Sequence, residues 1–127
     1  MESSTEKGRR GEELASQYLE AQGWEVLARN WREGHAEVDL VVRREEVLAF
    51  VEVKSRFTRV CGHPLESLTP RKRREVERVA RAWLRRRGRG EAQPARTVRF
   101  DAVSVDISRG GDAVVCHLPD AWRIGDP

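Results

Sequence analysis

Apolar and polar residues recur along this chain with two periods, and each change of period marks an element. Leu14, Ala15, Tyr18 and Leu19 return at intervals of three and four, the spacing of one helical face. Ser3-Ser4-Thr5 offers N-cap candidates before them, Glu6 falls in the first turn, and Gly23 suits the position after the last turn. Trp24 to Arg29 reads as a strand and Asn30 to His35 carries turn chemistry. Ala36–Val42 (AEVDLVV) and Val47–Lys54 (VLAFVEVK) are rich in Val, Leu and Phe and predict two strands. The charged stretch Arg43-Arg44-Glu45-Glu46 makes the turn between them. Ser55 to Leu68, with Gly62 and Pro64, reads as a loop long enough to be functional.

Thr69-Pro70 opens a second helix, with Thr as N-cap and Pro at the first helical position. Val76, Val79, Ala80, Trp83 and Leu84 line one face of it, arginines take the others, and Gly88 ends it. Val98–Ile107 and Ala113–Leu118 form two more strands about the turn Ser108 to Gly111, and Trp122 in the tail reads as a packing anchor. The order α-β-β-β-α-β-β predicts an α/β fold, a mixed central sheet flanked by helices. At 127 residues the chain has room for a single domain, 1–127.

The central hairpin holds the candidate chemistry. If its arms pair evenly about Glu45/Glu46, Asp39 falls opposite Glu52 and Glu37 opposite Lys54. Paired residues project to one face, and so do alternate residues of one strand. Three carboxylates and one ammonium therefore converge on a small patch of sheet. Like charges so placed repel unless a cation uses them, so the pattern points to a metal site. Oxygen donors suit Mg²⁺ or Mn²⁺. Asp39 and Glu52 would hold the ion, Lys54 would orient water or steady the phosphate, and Glu12, on the rim of the first helix, and Glu37 could complete the ligand set.

Charge sharpens this picture. The net +3 conceals ten basic residues against Glu75 and Glu77 between Arg71 and Arg89, a cluster suited to phosphate. Arg56, Arg71, Lys72, Arg73 and Arg74 are the candidate nucleic-acid contacts. Of the 24 basic residues only three are lysine, so Lys54 stands out, since a compact ammonium does what a planar guanidinium cannot. Cys61 and Cys116 are too few for a disulfide framework and read as reduced thiols. A zinc site with His63 and His117 is disfavoured, because the neighbours Cys116 and His117 would point to opposite faces of a strand. His35 reads as solvent-exposed. With no apolar run long enough for a membrane span and no signal-peptide core, a cytoplasmic location without membrane contact is expected.

The pattern Asp39…Glu52-Val53-Lys54 with a helical Glu12 resembles the PD-(D/E)xK nuclease superfamily. The stretches GRRGEELASQYLEAQGWEVLARNWR, EVDLV, FVEVKSR, LTPRKRREVERVARAWL and VRFDAVSVD resemble, more narrowly, the bacterial UPF0102 (YraN) family, similar to archaeal Holliday junction resolvases. The resemblance implies a restriction-endonuclease-like αβββαβ core. It also implies metal binding at Asp39, Glu52 and Glu12, with Lys54 as the ExK base. Glu37 matches the acid of a GEID-like block, although Ala36 replaces its glycine. The function so implied is a Mg²⁺- or Mn²⁺-dependent endonuclease acting on DNA, branched junctions included, with a homodimer to cut two strands symmetrically. The alternative is a nucleic-acid-binding module that keeps the fold and catalyses little. A third reading, a surface salt-bridge lattice with Arg56 and Arg59 whose helix docks a protein, ranks last because exposed pairs contribute little.

Overall fold

The computed structural model describes residues 4–56, 68–87 and 94–126. Helix α1 (Ser4–Ala21) leads into strands β1 (Glu25–Glu33), β2 (Ala36–Arg44) and β3 (Val47–Arg56), then α2 (Pro70–Arg86), β4 (Thr97–Ile107) and β5 (Ala113–Trp122). The five strands lie side by side in sequence order. All neighbours pair antiparallel except β3 and β4, which run parallel with α2 in the connection between them. Mixed sheet and αβββαβ order are as expected. Among the described residues, no helix is long and apolar enough to cross a membrane.

The two periods of the sequence become two cores. Ala15 and Leu19 of α1 bury with Leu40, Val42, Ala49, Val51, Val103 and Val105. Val76, Val79, Ala80 and Trp83 of α2 bury with Val41, Leu48, Phe50 and Phe100. Because neighbours along a strand face opposite ways, these clusters lie on the two faces of the sheet, with one helix on each. Gly23, at φ +93°, ends α1, and the Trp24 amide returns to the Leu19 carbonyl at 3.0 Å. Thr69 caps α2, its Oγ1 accepting from the Lys72 amide at 3.1 Å.

Several boundaries move. Strand β1 runs to Glu33, so Asn30 lies within it and the turn narrows to Gly34-His35. Strand β5 runs through Trp122, which is buried and stacked on Phe100 at 5.2 Å. Trp122 is the anchor expected, but on a strand. On α2, Ala82 is buried and Leu84 is 37% exposed. Ser55 and Arg56 end β3, while most of the expected loop, Cys61 and His63 with it, lies outside the described residues. Cys116 is disulfide-bonded, correcting the expectation of a reduced thiol; its partner also lies outside the described residues. Two cysteines far apart in sequence carry no spacing pattern from which pairing could be read.

Candidate active site

The expected hairpin register holds: Arg44 pairs with Val47 and, step by step, Leu40 with Val51. Glu45 adopts φ +54° to close the two-residue turn. Continued one step, this register sets Asp39 opposite Glu52, but the ladder stops at Leu40/Val51. Asp39 spends its side chain there instead. Its Oδ2 accepts the Val53 amide at 2.7 Å, so a carboxylate replaces the backbone acceptor where the strands part.

A bend in the β1–β2 pair causes the parting. Ala36 and Val38 pack into the α2-side core, whereas Leu40 packs into the α1-side core. In a regular strand residues two apart share a face, so β2 rotates at Asp39. Across from it, between the pairs Arg29/Leu40 and Trp31/Val38, Asn30 adopts φ +49°. Asparagine tolerates this left-handed conformation better than most side chains. Its amide then donates to Glu37 Oε1 at 2.9 Å and to Glu12 Oε1 at 3.3 Å. The composition of Asn30 to His35 predicts a turn, yet Asn30 lies within β1. It is the polar clip that ties two of the predicted acids together.

Glu12 reaches the site because α1 lies unusually close to β3. At Gly11 a methyl group would stand 1.6 Å from Ser55 Oγ and 2.8 Å from Ser55 Cβ, so only glycine allows this approach. Glu52 lies on the buried part of β3 and is 7% exposed. Asp39, Glu52, Lys54, Leu68, Lys72 and Ala102 line a cavity of about 420 Å³. Ala102 is the β4 partner of Glu52, and its small side chain leaves that space open. Lys54 shares the cavity with Glu52, as alternation along the strand requires, and is exposed.

Electrostatics set the acids against one another. Burial, then the charge of Asp39, hold the Glu52 carboxyl well above its ordinary value, despite the opposing pull of Lys72. Asp39 is raised chiefly by burial, with the Val53 amide working against the rise. Glu12 is raised by burial and by Asp39. Glu52 Oε1 is buried and accepts no hydrogen bond among the described residues. A buried, orphaned carboxylate oxygen beside a second carboxylate is costly without a cation. An all-oxygen donor set of this kind fits Mg²⁺ or Mn²⁺. Among the described residues, no group of three or more His, Cys, Asp or Glu side chains is already drawn together as a metal cage. Asp39 and Glu52 thus line the cavity together, whereas Glu12 and Glu37 lie outside that lining, tied to each other through Asn30, with Glu12 also against Asp39.

The other predicted residues divide. Glu37 pairs with Arg32 at 2.9 Å rather than with Lys54, because the ladder that would bring Lys54 across ends before it. Arg56 lies 3.4 Å from Asp106, its partner in the parallel register, with a half-buried side chain engaged by that acid. Helix α2 turns its basic residues two ways. Arg73 and Arg74 line a cavity with Glu77 and Trp122, away from the acids. Arg71 and Arg78 line a larger one, about 690 Å³, with His35 and Glu75, and it shares Lys72 with the acid cavity. Lys72, predicted to grip backbone, lies 3.8 Å from Glu52 Oε2 and 2.7 Å from Glu75 Oε2. The scarcity of lysine that singled out Lys54 would have singled out Lys72 too.

A second buried acid is structural. Asp101 accepts from Arg99 at 2.8 Å and from the Asp120 amide at 2.9 Å, and lies 2.8 Å from His117 Nε2, where β4 and β5 shift register. Burial would raise its carboxyl, but these hydrogen bonds prevail and hold it below the ordinary value. His117 is engaged here, which removes it from any zinc site with Cys116.

Residues 11–105 match the model of the uncharacterised protein family UPF0102. A UPF0102 protein of Leifsonia xyli subsp. xyli is 39% identical over 119 residues, covering 94% of this chain and 98% of that protein. One from Beutenbergia cavernae is 46% identical over 111 residues, 87% of this chain and 91% of that protein. One from Myxococcus xanthus is 41% identical over 120 residues, 94% and 91% of the two chains. Among solved structures, Pyrococcus furiosus SfsA in complex with Ca²⁺ aligns with a TM-score of 0.37 at 14% identity, covering 93% of this chain and 64% of that one.

Proposed function

The chain belongs to the UPF0102 family, and from that membership we propose a metal-dependent endonuclease that hydrolyses phosphodiester bonds in DNA, four-way junctions among its substrates. One observation carries the reading: Glu52 Oε1 is buried and accepts no hydrogen bond among the described residues, in a cavity that also holds Asp39, Lys54 and Lys72. A fold that needed only stability would have an apolar residue there.

Asp39 and Glu52 would hold Mg²⁺ or Mn²⁺, with Glu12 and Glu37 behind them. When bound, the ion neutralises charge developing on the phosphate and makes bound water easier to ionise. The chain's own residues do the rest. The Val53 amide pins Asp39 Oδ2, so this carboxylate is oriented before any ligand arrives. Asn30 fixes Glu12 and Glu37 in the same way. Lys54, exposed at the cavity, donates to the attacking water or to a non-bridging phosphate oxygen. Arg71 and Arg78 in the adjoining cavity grip flanking phosphates without reading sequence. Two such sites acting on a two-fold junction call for a homodimer.

The second reading, a nucleic-acid-binding module with little catalysis, draws on the lack of a ready-made cage of three or more ligands among the described residues. One experiment separates the two. Purified protein with Mg²⁺ or Mn²⁺ is expected to nick branched DNA, and Asp39→Asn or Lys54→Ala to abolish nicking with binding nearly intact. A wild type that binds DNA yet stays inert with every divalent metal and substrate form supports the module instead.

A further inference from the structure

Lys72 meets the acids from a different layer of the fold. Its backbone is fixed in the first turn of α2, where its amide donates to Thr69 Oγ1. Its ammonium donates to Glu75 Oε2 at 2.7 Å and to the Glu37 carbonyl at 3.4 Å, and lies 3.8 Å from Glu52 Oε2. An ammonium has three donors and no acceptor, and three oxygens stand within 3.8 Å of this one. The side chain is 34% exposed, so it stands at the edge of the cavity and is not sealed within it. Short on Glu75 and long on Glu52, it has one firm anchor and one loose one.

Building on the metal-site reading above, we propose that Lys72 is the resident counter-cation of the acid cavity. It partly neutralises Glu52 in the metal-free protein and yields that carboxylate to an incoming divalent cation by resting on Glu75. The loose contact is the one a metal would take over. Glu75, one turn along the same helix, keeps the displaced charge paired. Lysine suits the part because a compact ammonium on a flexible stem can shift between partners, whereas a bidentate guanidinium would hold its carboxylate. Lys72 thereby sets how tightly the cavity holds metal, which makes it a positioning residue for the cation.

Calorimetric titration of Mn²⁺ into chelator-stripped protein at neutral pH tests this without any cutting assay. Lys72→Met keeps an aliphatic chain of similar length and removes the competitor; Mn²⁺ is expected to bind about tenfold more tightly, stoichiometry unchanged. Glu75→Gln removes the resting place and commits Lys72 to Glu52; affinity is expected to fall about tenfold. Far-UV circular dichroism confirms folding, and Glu75→Gln decides alone if Lys72→Met does not fold. Wild type that binds Mn²⁺ with both variants unchanged, or with Lys72→Met weaker, overturns the proposal and leaves the metal-site reading standing. No binding by wild type or by Lys72→Met overturns both.

Discussion

Replacing Glu52 by Gln is expected to make the metal-free protein more stable, against the usual direction for a buried substitution. Glu52 faces Lys72 at 3.8 Å, an attraction of about 4 kcal/mol at an effective dielectric near 20. That ammonium is shared with Glu75 at 2.7 Å and partly open to solvent, so Glu52 receives only a fraction. Burial and repulsion from Asp39 exceed the remainder, which is why its carboxyl is raised. Glutamine removes the charge, keeps the shape and can donate to Asp39. A gain of about 1–3 kcal/mol follows, or roughly 3–10 °C in Tm for a domain of this size.

The sign reverses nowhere but fades with acid. A carboxyl raised in the folded state adds stability below its unfolded value, 4.5 here, and loses it as pH climbs through the raised value. The advantage of Glu52→Gln should therefore be full above the raised folded value and vanish below pH 4.5. Thermal melts across that range in chelator measure it. Mn²⁺ at about 100 times its Kd should then add about 2.7 kcal/mol to wild type and little to the variant. A Glu52→Gln protein less stable than wild type at neutral pH without metal, or equally stabilised by Mn²⁺, would refute the argument.

Gly11→Ala should destabilise the protein by about 1–2 kcal/mol, since overpacking against Ser55 outweighs the helical gain from alanine; chemical denaturation checks it, and a stabilised variant would mean that α1 can stand off from β3. Asp101→Asn should cost stability at neutral pH and much less in acid, because a carboxyl held below its ordinary value contributes above the unfolded value and loses that contribution as pH falls through the folded one. Melts of both proteins at neutral and acid pH are the measurement, and a loss independent of pH would contradict it. Replacing Arg71 and Arg78 should weaken DNA binding uniformly across sequences and lower the salt dependence by roughly one phosphate contact each, whereas a loss confined to particular sequences would tell against backbone gripping.

Much of this architecture can be read along the chain. Alternation in VLAFVEVK places Glu52 and Lys54 on one face, and the position of Glu45/Glu46 sets the hairpin register as far as Leu40/Val51, one step short of Asp39 and Glu52. The stripe Val76, Val79, Ala80, Trp83 and the Thr69-Pro70 start define α2 almost to the residue. Each of these depends on spacing within one element or on a two-residue turn, so the information is local.

What tertiary structure alone decided lies between elements. Spacing gives no sign that β2 turns at Asp39, that Asn30 clips Glu12 to Glu37, or that Arg56 is taken up by Asp106. Nor does it distinguish Lys72 from Arg73 and Arg74, adjacent in sequence yet lining different cavities. A helix divides consecutive residues by about 100° each. Which of them meets an acid depends on where α2 docks across the sheet, and that docking is set by long-range packing of Trp83 against Trp31 and Phe50. Periodicity determines which residues can share a face; only the closing of the three layers determines which charges meet there.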